Sequence, residues 1–255
     1  MIQELVRIAE EAGKEVMDIY QHTNFSIQEK NDKEKSPLTD ADLKSNEIIV
    51  QGLTRISDYP IITEESSAAP YEERKDWEKF WLVDPLDGTK NFIAKDGEFT
   101  INIALVEKTK PVLGIVYAPA VQLMYWAESG KGAFKNGRRI RNDSKRTELI
   151  GAESRFHSTP EDRAFFQKYN IKVVKTYGAA LKICKLAEGE IDVYPRFNGT
   201  KEWDTAAAHC IANEAGCKLI DIKTGQELLY NKEDLENNYF IASRVDLNFS
   251  ASRNT

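Results

Sequence analysis

Three features are scarce in this sequence: paired cysteines, clustered basic residues and long apolar runs. Its three cysteines, Cys184, Cys210 and Cys217, are odd in number, show no Cys-x-x-Cys spacing and lie within apolar patterns. They predict reduced thiols in the core rather than a disulfide framework. No stretch reaches the length that spans a bilayer, and residues 1–20 carry charges throughout, unlike a secretory signal peptide. These absences favour a cytoplasmic protein with no integral membrane segment.

The charge balance is mildly acidic. Lys and Arg number 35 against 41 Asp and Glu, for a formal net charge of −6, and no polybasic tract is present. A nucleic-acid polymer is therefore not the expected partner. A small anionic metabolite is compatible with this charge, provided that divalent cations or a local group of Lys and Arg reverse the field within the site. With 255 residues, 41% of them hydrophobic, the chain can bury a sizeable core.

Two amphipathic helices are predicted before the first long strand. Apolar residues recur at three- and four-residue spacing over 1–20 and again from Leu43 to Ile56. The pattern predicts one helix at the start of the chain and a second running to about Ser57. The polar run Gln28–Ser36 between them is predicted to be a loop.

The remainder divides into two kinds of pattern. Short apolar or alternating runs follow one another from Ile61 to Phe134 and are bounded by turn residues such as Asn136-Gly137, which predicts an antiparallel meander. From residue 150 to 220, strand and helix patterns alternate, as is typical of a layered α/β unit. We therefore expect an α/β (α+β) protein with an N-terminal α+β half, 1–148, and a C-terminal α/β half, 149–255.

Two carboxylates crowd the end of a strand that is predicted to be buried. Trp81–Val83 runs directly into Asp84–Thr89 (DPLDGT), which predicts a tight loop carrying both Asp84 and Asp87. Like charges this close repel each other unless cations neutralise them, and Mg²⁺ prefers such oxygen ligands. The alternative is an ordinary surface turn built from Asp-Pro and Asp-Gly.

The same loop offers backbone groups. A carbonyl such as that of Leu86 can supply a neutral oxygen ligand. If a short helix starts here, the amides of Gly88 and Thr89 would point unpaired N–H groups at a phosphate oxygen. One loop could thus hold both metal and phosphate.

Two further acids stand at element boundaries. Glu64 follows the short strand pattern Ile61–Thr63, and Asp204 directly precedes a helical pattern that opens at Thr205. Each has a structural alternative, a charged strand exit for Glu64 and a helix N-cap for Asp204. The N-cap alternative is compatible with a functional role, since one oxygen can cap while the other binds a metal.

A fifth acid has two possible roles. Thr39 and Asp42 have the spacing of a capping box before the second helix. Alternatively, Asp42 accepts a hydrogen bond from the Thr89 hydroxyl, so that Thr89 orients and polarises an attacking water and the pair acts as the general base.

Four motifs, in order along the chain, are Ser36–Asp42 (SPLTDAD), Thr63–Ser66 (TEES), Trp81–Phe92 (WLVDPLDGTKNF) and Trp203–Ala207 (WDTAA). With these motifs the sequence resembles the inositol monophosphatase superfamily of lithium-sensitive, magnesium-dependent phosphatases. The resemblance implies a layered α-β-α-β-α sandwich, two or three Mg²⁺ per site, and catalytic roles for Asp42, Thr89 and Glu64. The metal ligands that it implies are Glu64, Asp84, the Leu86 carbonyl, Asp87 and Asp204.

Three further stretches, Gly97–Leu105, Val116–Pro119 and Tyr194–Phe197, resemble the bacterial 3'(2'),5'-bisphosphate nucleotidases within that superfamily. This likeness implies hydrolysis of the 3'-phosphate of 3'-phosphoadenosine 5'-phosphate to AMP and phosphate in sulfate assimilation, with the sulfated precursor as a second substrate. The substrate contacts that it implies are Glu64, Leu86, Asp87, Gly88, Thr89, Ser154, His157, Gly178, Lys182 and Asp204.

Several alternatives stay open. His157 could be an exposed loop histidine and Lys182 part of a solvated helix face, and Asn91 departs from an acidic residue common among close relatives. An inositol monophosphatase or a fructose-1,6-bisphosphatase would share the metal centre but read hydroxyls instead of adenine. A non-catalytic nucleotide-binding module would use the acids for a structural cation. The oligomeric state is open, and peripheral association with the inner membrane is a further hypothesis.

Overall fold

The computed structural model describes residues 1–21, 27–29 and 37–249 of the chain. Its helices are α1 (Ile2–Gln21), α2 (Asp40–Ile56), α3 (Tyr71–Arg74), α4 (Thr89–Ile93), α5 (Pro160–Lys168), α6 (Leu181–Ala187) and α7 (Glu202–Glu214). Its first nine strands are β1 (Ile27–Glu29), β2 (Pro37–Thr39), β3 (Ile61–Thr63), β4 (Lys79–Asp87), β5 (Thr100–Glu107), β6 (Lys110–Ala118), β7 (Leu123–Glu128), β8 (Gly132–Lys135) and β9 (Arg138–Ile140). The others are β10 (Ile150–Ser154), β11 (Val173–Tyr177), β12 (Val193–Arg196), β13 (Cys217–Asp221) and β14 (Phe240–Arg244).

Two large sheets form the frame. The first runs in the order β3-β4-β5-β6-β7-β8-β9, with β3 parallel to β4 and every other pair antiparallel. The second has the order β11-β10-β12-β14-β13, parallel around β10 and antiparallel around β14. Strands β1 and β2 form a separate antiparallel pair.

The layers follow from the two-residue alternation of the strands. In β4, Trp81 and Val83 face α1 and α2, whereas Phe80 and Leu82 face the other way, into a core shared with α6 and α7. The second sheet covers the far side of α6 and α7, and its outer face packs against α5. This α-β-α-β-α order confirms the layered fold that the sequence predicts.

The two halves share one of these cores. Helix α7 of the C-terminal half lies directly on the first sheet, so closely that a Cβ at Gly114 of β6 would come within 2.2 Å of the Ala207 carbonyl oxygen. Residue 148 lies in the connection between β9 and β10. All strands of the first large sheet precede this residue in the sequence, and all strands of the second follow it. The division of the chain at that residue stays a prediction.

The local predictions are mostly confirmed. Helices α1 and α2 and the meander lie where the patterns placed them, and the three cysteines are buried free thiols. The predicted loop Gln28–Ser36 is wrong at its start, because Gln28 and Glu29 belong to β1, and residues 30–36 lie outside the described part of the chain. None of the helices formed by the described residues combines the length and apolar character that crossing a bilayer requires.

A charge network fastens the edge strand β11 to the end of α6. The Glu190 carboxylate accepts hydrogen bonds from the Tyr177 hydroxyl at 2.6 Å and from the Lys175 ammonium at 3.0 Å, and it pairs with Lys185 at 2.9 Å. Burial alone would raise the pKa of Glu190, but the bonds from Tyr177, Lys185 and Lys175 outweigh it and lower the pKa to about 2. Tyr177 directly precedes Gly178, so the network lies beside the predicted substrate site.

Replacing Glu190 by glutamine is expected to lower the free energy of unfolding at pH 7, because the charged hydrogen bonds to its carboxylate are lost. The loss should be only about 1 kcal/mol, because the carboxylate is partly exposed and its ion pairs are screened by solvent. Since its folded-state pKa is depressed from 4.5 to about 2, this contribution is complete above pH 4.5 and disappears as the pH falls through that range. Urea unfolding of both proteins between pH 7 and pH 2.5 measures the difference. Glu107→Gln, at an exposed ion pair with Lys79, is the control and should change little; a difference that grows on acidification would contradict this account.

Candidate active site

The predicted site begins where β3 ends beside the parallel strand β4. Thr63 of β3 pairs with Val83 of β4, and the Glu64 amide donates to the Val83 carbonyl at 3.1 Å. Because the two strands are parallel and in register, Glu64 leaves β3 beside Asp84 of β4.

The predicted tight loop after Val83 is instead a bulged continuation of β4. Asp84 lies opposite Asn102, and after a register shift the pairing with β5 resumes with Asp87 opposite Thr100. The bulge is stabilised by a hydrogen bond from the Leu86 amide to Asp84 Oδ1 at 3.0 Å, and Asn102 Nδ2 donates to Asp87 Oδ2 at 3.3 Å. A bulge re-aims side chains without ending a strand, which places both aspartates at one edge of the sheet.

A glycine then turns the chain into the expected short helix. Gly88 has φ +89°, a left-handed conformation that suits glycine, and α4 begins at the next residue, Thr89. The Thr89 hydroxyl lies 3.3 Å from Asp42 Oδ1 and 3.4 Å from the Leu86 carbonyl oxygen, and can donate to either.

Asp42 makes both of the contacts proposed for it from the sequence. Its Oδ2 accepts from the Thr39 amide at 2.8 Å and from the Thr39 hydroxyl at 2.6 Å, which completes the capping box of α2. Its Oδ1 is the oxygen that Thr89 approaches, and the side chain is only 1% exposed. The hydrogen bond predicted between Asp42 and Thr89 is therefore present, and the catalytic role of the pair stays a prediction.

Asp204 is not the N-cap. Helix α7 begins at Glu202, three positions earlier than the pattern predicts, so Asp204 is its third residue. The amide of Lys201, the actual N-cap, donates to Asp204 Oδ2 at 2.7 Å. Glu202 is polar in sequence yet fully buried, accepting from the amides of Asn231 and Lys232, and this distant contact explains the earlier start.

One cleft gathers most of the predicted residues. Those that line it are Glu64, Asp84, Leu86, Asp87, Gly88, Thr89, Ser154, His157, Lys182 and Asp204. Asp42 stands behind Thr89, and Gly178 does not line the cleft, because its amide donates to Glu98 at 2.8 Å. Cleft residues that the sequence analysis did not single out as site residues include Lys90, Arg196, Thr200 and Thr205.

The cleft also contains two basic side chains beside the acids, Lys182 and Arg196, which form its cationic wall. Lys182 is 6% exposed, donates to the Ala179 carbonyl at 2.6 Å and lies 5.5 Å from the centre of the Tyr194 ring, so the alternative of a solvated helix face is wrong. Burial and the nearby Arg196 lower the pKa of Lys182 to about 8, although Asp87 acts in the opposite direction. An anionic ligand here would favour the charged ammonium.

Arg196 is the main residue that the sequence analysis left without a role. It is 7% exposed at the end of β12, and its guanidinium donates to the carbonyls of Asn198 and Gly199 at 3.2 and 3.3 Å. The available signal was an arginine inside an otherwise apolar strand pattern. Half-buried His157 is its neighbour in the cleft, where burial first and then Arg196 lower the histidine pKa to about 4, so that the ring is neutral at pH 7.

Burial and neighbouring carboxylates raise the pKa of two of the acids. Burial raises the pKa of Asp87, Lys182 and Asn102 oppose that change, and Glu64 adds to it. Burial, Asp87 and Glu64 together raise the pKa of Asp204 well above its usual value. A divalent cation bound beside these carboxylates would favour their charged forms.

These acids share a cleft without forming a ready coordination sphere. Within residues 1–21, 27–29 and 37–249, no three His, Cys, Asp or Glu side chains stand close enough together to hold a metal ion as they are. Each of three carboxylates accepts a hydrogen bond from the protein: Asp84 from the Leu86 amide, Asp87 from Asn102 Nδ2 and Asp204 from the Lys201 amide. The chemistry of the donor set still fits Mg²⁺, because carboxylate and carbonyl oxygens are its preferred ligands.

Known proteins resemble this chain in both sequence and fold. The 3'(2'),5'-bisphosphate nucleotidase CysQ of Salmonella typhimurium is 40% identical over 226 residues, which cover 87% of this chain and 90% of that protein. CysQ of Buchnera aphidicola is 38% identical over 253 residues, covering 96% and 89%.

Solved structures agree. The crystal structure of CysQ from Bacteroides thetaiotaomicron, described as a bacterial member of the inositol monophosphatase family, matches with a TM-score of 0.84 and 37% identity, covering 95% of this chain and 96% of that one. The extragenic suppressor protein suhB of Bartonella henselae matches with a TM-score of 0.80 and 28% identity, over 96% and 93%. The family model for the inositol monophosphatase family matches residues 1–251, and the chain therefore belongs to that family, as its motifs predict.

Proposed function

We propose that this protein is a cytoplasmic, magnesium-dependent 3'(2'),5'-bisphosphate nucleotidase that removes the 3'-phosphate of 3'-phosphoadenosine 5'-phosphate. The names of its relatives support the reaction class. The sulfated precursor of that nucleotide is the second substrate in this proposal. The N-terminal half, 1–148, supplies Glu64, Asp84 and Asp87, and the C-terminal half, 149–255, supplies the cationic wall.

The observation that carries the proposal is that one cleft contains four acids together with the cations Lys182 and Arg196. The acids suit a phosphate that is delivered with divalent cations, and the nearly buried Lys182 and Arg196 suit a second phosphate that is not hydrolysed. A 3',5'-bisphosphonucleotide carries a phosphate on each of two ribose carbons. A monophosphate would leave the Lys182 and Arg196 side without an anion.

The proposed metal ligands are Glu64, Asp84, Asp87, Asp204 and the Leu86 carbonyl, for two or three ions. Magnesium, when bound, supplies charge neutralisation of the phosphate and a lower pKa for a nearby water. The protein's own contribution is to hold the oxygens of Glu64, Asp84, Leu86 and Asp87 at one edge of the first sheet. Helix α7 closes the site from the other side and carries Asp204.

Asp42 and Thr89 are proposed to handle the proton. With its hydrogen donated to Asp42 Oδ1, the Thr89 hydroxyl keeps its lone pairs directed at the cleft, where they accept a hydrogen bond from the attacking water. As the water loses its proton to the Thr89 oxygen, the Thr89 hydroxyl passes its own proton to the buried carboxylate of Asp42. No covalent intermediate is needed.

Phosphate release from four substrates tests the proposal. With 3'-phosphoadenosine 5'-phosphate, kcat/KM is expected to exceed that with inositol 1-phosphate or fructose 1,6-bisphosphate by at least about tenfold, because inositol 1-phosphate lacks the second phosphate and fructose 1,6-bisphosphate lacks the adenosine. AMP, which lacks the 3'-phosphate, should release nothing. EDTA should abolish the activity and Mg²⁺ should restore it.

Each other result has a definite meaning. Preference for inositol 1-phosphate or fructose 1,6-bisphosphate would replace the nucleotidase by one of the two alternative phosphatases. Absence of release from every substrate, with Mg²⁺ present, would overturn the enzymatic proposal in favour of a phosphate- or nucleotide-binding module.

A further inference from the structure

Glu98 lies outside the cleft, in the loop between α4 and β5, yet it contacts both segments that bring the C-terminal half to the substrate. Its Oε2 accepts from the Gly178 amide at 2.8 Å and from two nitrogens of Arg155, Nη2 at 2.8 Å and Nε at 3.2 Å. Arg155 directly follows Ser154 and lies two residues before His157, both of which line the cleft. Gly178 opens the segment that leads to Lys182.

The Gly178 segment is held against the acidic loop by close packing as well. A Cβ on Gly178 would lie 2.3 Å from the Glu98 carbonyl oxygen and 2.6 Å from Asn91 Nδ2, so only glycine allows this approach. Ala179 has φ +47°, a left-handed conformation that an alanine keeps only when its surroundings impose it. The Ala179 carbonyl accepts a hydrogen bond from the Lys182 ammonium. The position of this bend in the backbone therefore affects where the Lys182 ammonium lies in the cleft.

We propose that Glu98 is a positioning residue that sets the distance from Lys182 and the Ser154–His157 segment to the phosphate-hydrolysing side of the cleft. One oxygen of the Glu98 carboxylate binds both the Ser154–His157 segment and the Gly178–Lys182 segment. Glu98 belongs to the loop that follows α4, the helix that begins at Thr89. Its own backbone is anchored, since the Glu98 amide donates to Asp96 Oδ1 at 2.9 Å. The clamp acts through these neighbours and not by touching the substrate.

An ordinary exposed ion pair would contribute little, and three features separate this one from that class. The glutamate side chain is only 21% exposed, it accepts a backbone amide in addition to a guanidinium, and its partners belong to two different loops. Loss of the carboxylate therefore weakens the attachment of both loops at once, although Arg155 keeps its ion pair with Asp96 at 3.4 Å.

The test compares Glu98→Ala and Glu98→Gln with Arg155→Ala, which removes one arm only, and with Glu107→Ala at the far end of β5 as the control. Glu98→Ala is expected to raise KM for 3'-phosphoadenosine 5'-phosphate by about tenfold to a hundredfold, with a smaller fall in kcat, the effect of misplacing binding groups by about 1 Å. Glu98→Gln should lie between it and the wild type, because its amide oxygen still accepts from Gly178. Glu107→Ala should leave both constants unchanged.

Hydrogen exchange gives a second readout that needs no substrate. In Glu98→Ala, exchange should accelerate in residues 152–158 and 175–182 together and not elsewhere; in Arg155→Ala, mainly in the first segment. Unchanged exchange in either segment of Glu98→Ala, or acceleration spread over the whole chain, would overturn the clamp. The choice of substrate rests on the proposed function, but a wild type inactive on that substrate would refute only the proposed function, since exchange decides the clamp alone.

Discussion

Replacing Asp87 by asparagine is expected to lower kcat/KM by at least about 10³-fold and, in the same protein, to raise the melting temperature measured in EDTA. The activity falls because Asp87 is proposed to hold an ion at the centre of the acidic side, and charge stabilisation of this kind is the largest single contribution at many active sites. Asparagine preserves the shape of the side chain and can still accept from Asn102.

The stability gain has an independent physical cause. Without cations, loss of hydration and the nearby Glu64 disfavour the charged form of Asp87 more than Lys182 and Asn102 favour it, so its pKa is raised. Asp87 also raises the pKa of Asp204, and like charges at close range destabilise the folded state. Removing one of the three relieves that repulsion, and each kcal/mol relieved corresponds to about 2–4 °C in a protein of this size. With saturating Mg²⁺ the order should reverse, because the wild type gains more from binding the ion.

Asp143→Asn is the matched control, since Asp143 is an exposed aspartate paired only with Arg141. It should change neither activity nor melting temperature. Should Asp87→Asn retain more than a tenth of the activity, or should its melting temperature in EDTA fall, the acids would not form the charged centre proposed here.

The fold and the acidic side could be predicted because their signals are local. The strand alternation around Trp81 and the capping spacing of Thr39 and Asp42 depend on a few neighbouring residues, and the structure follows both. The end of β4 was harder to predict from the sequence, because the bulge between Asp84 and Asp87 depends on pairing with β5, the next strand.

The parts that sequence reasoning missed depend on distant contacts. Strand β14 (Phe240–Arg244) follows a polar segment and is recognised only by its pairing with β12 and β13. Arg196 is a strand residue that lines the cleft together with Lys182 and His157. The Gly178 amide donates to Glu98, 80 positions earlier, a contact that no motif indicates. No spacing within a single motif contains this information.

The second large effect is expected at the pair Asp42 and Thr89. Asp42→Asn should lower kcat by about 10²- to 10⁴-fold with little change in KM, the range for loss of a general base. The amide oxygen can replace Oδ2 as the acceptor for Thr39, which leaves the amide NH₂ facing the Thr89 hydroxyl. That hydroxyl must then accept where it previously donated, so its lone pairs are no longer directed at the attacking water.

Because the two residues act as one unit, the double variant Asp42→Asn with Thr89→Ala should be no slower than the slower single variant. Thr89→Ser keeps the hydroxyl and should retain most of the activity. Thr39→Ala is the control for damage to the helix start: it removes a cap from α2, costing about 1 kcal/mol of stability, and leaves the Thr89 bond in place. Steady-state kinetics with unfolding curves for each variant separate these effects. Multiplicative losses in the double variant would mean that Thr89 and Asp42 act independently, and the proton would then need another acceptor.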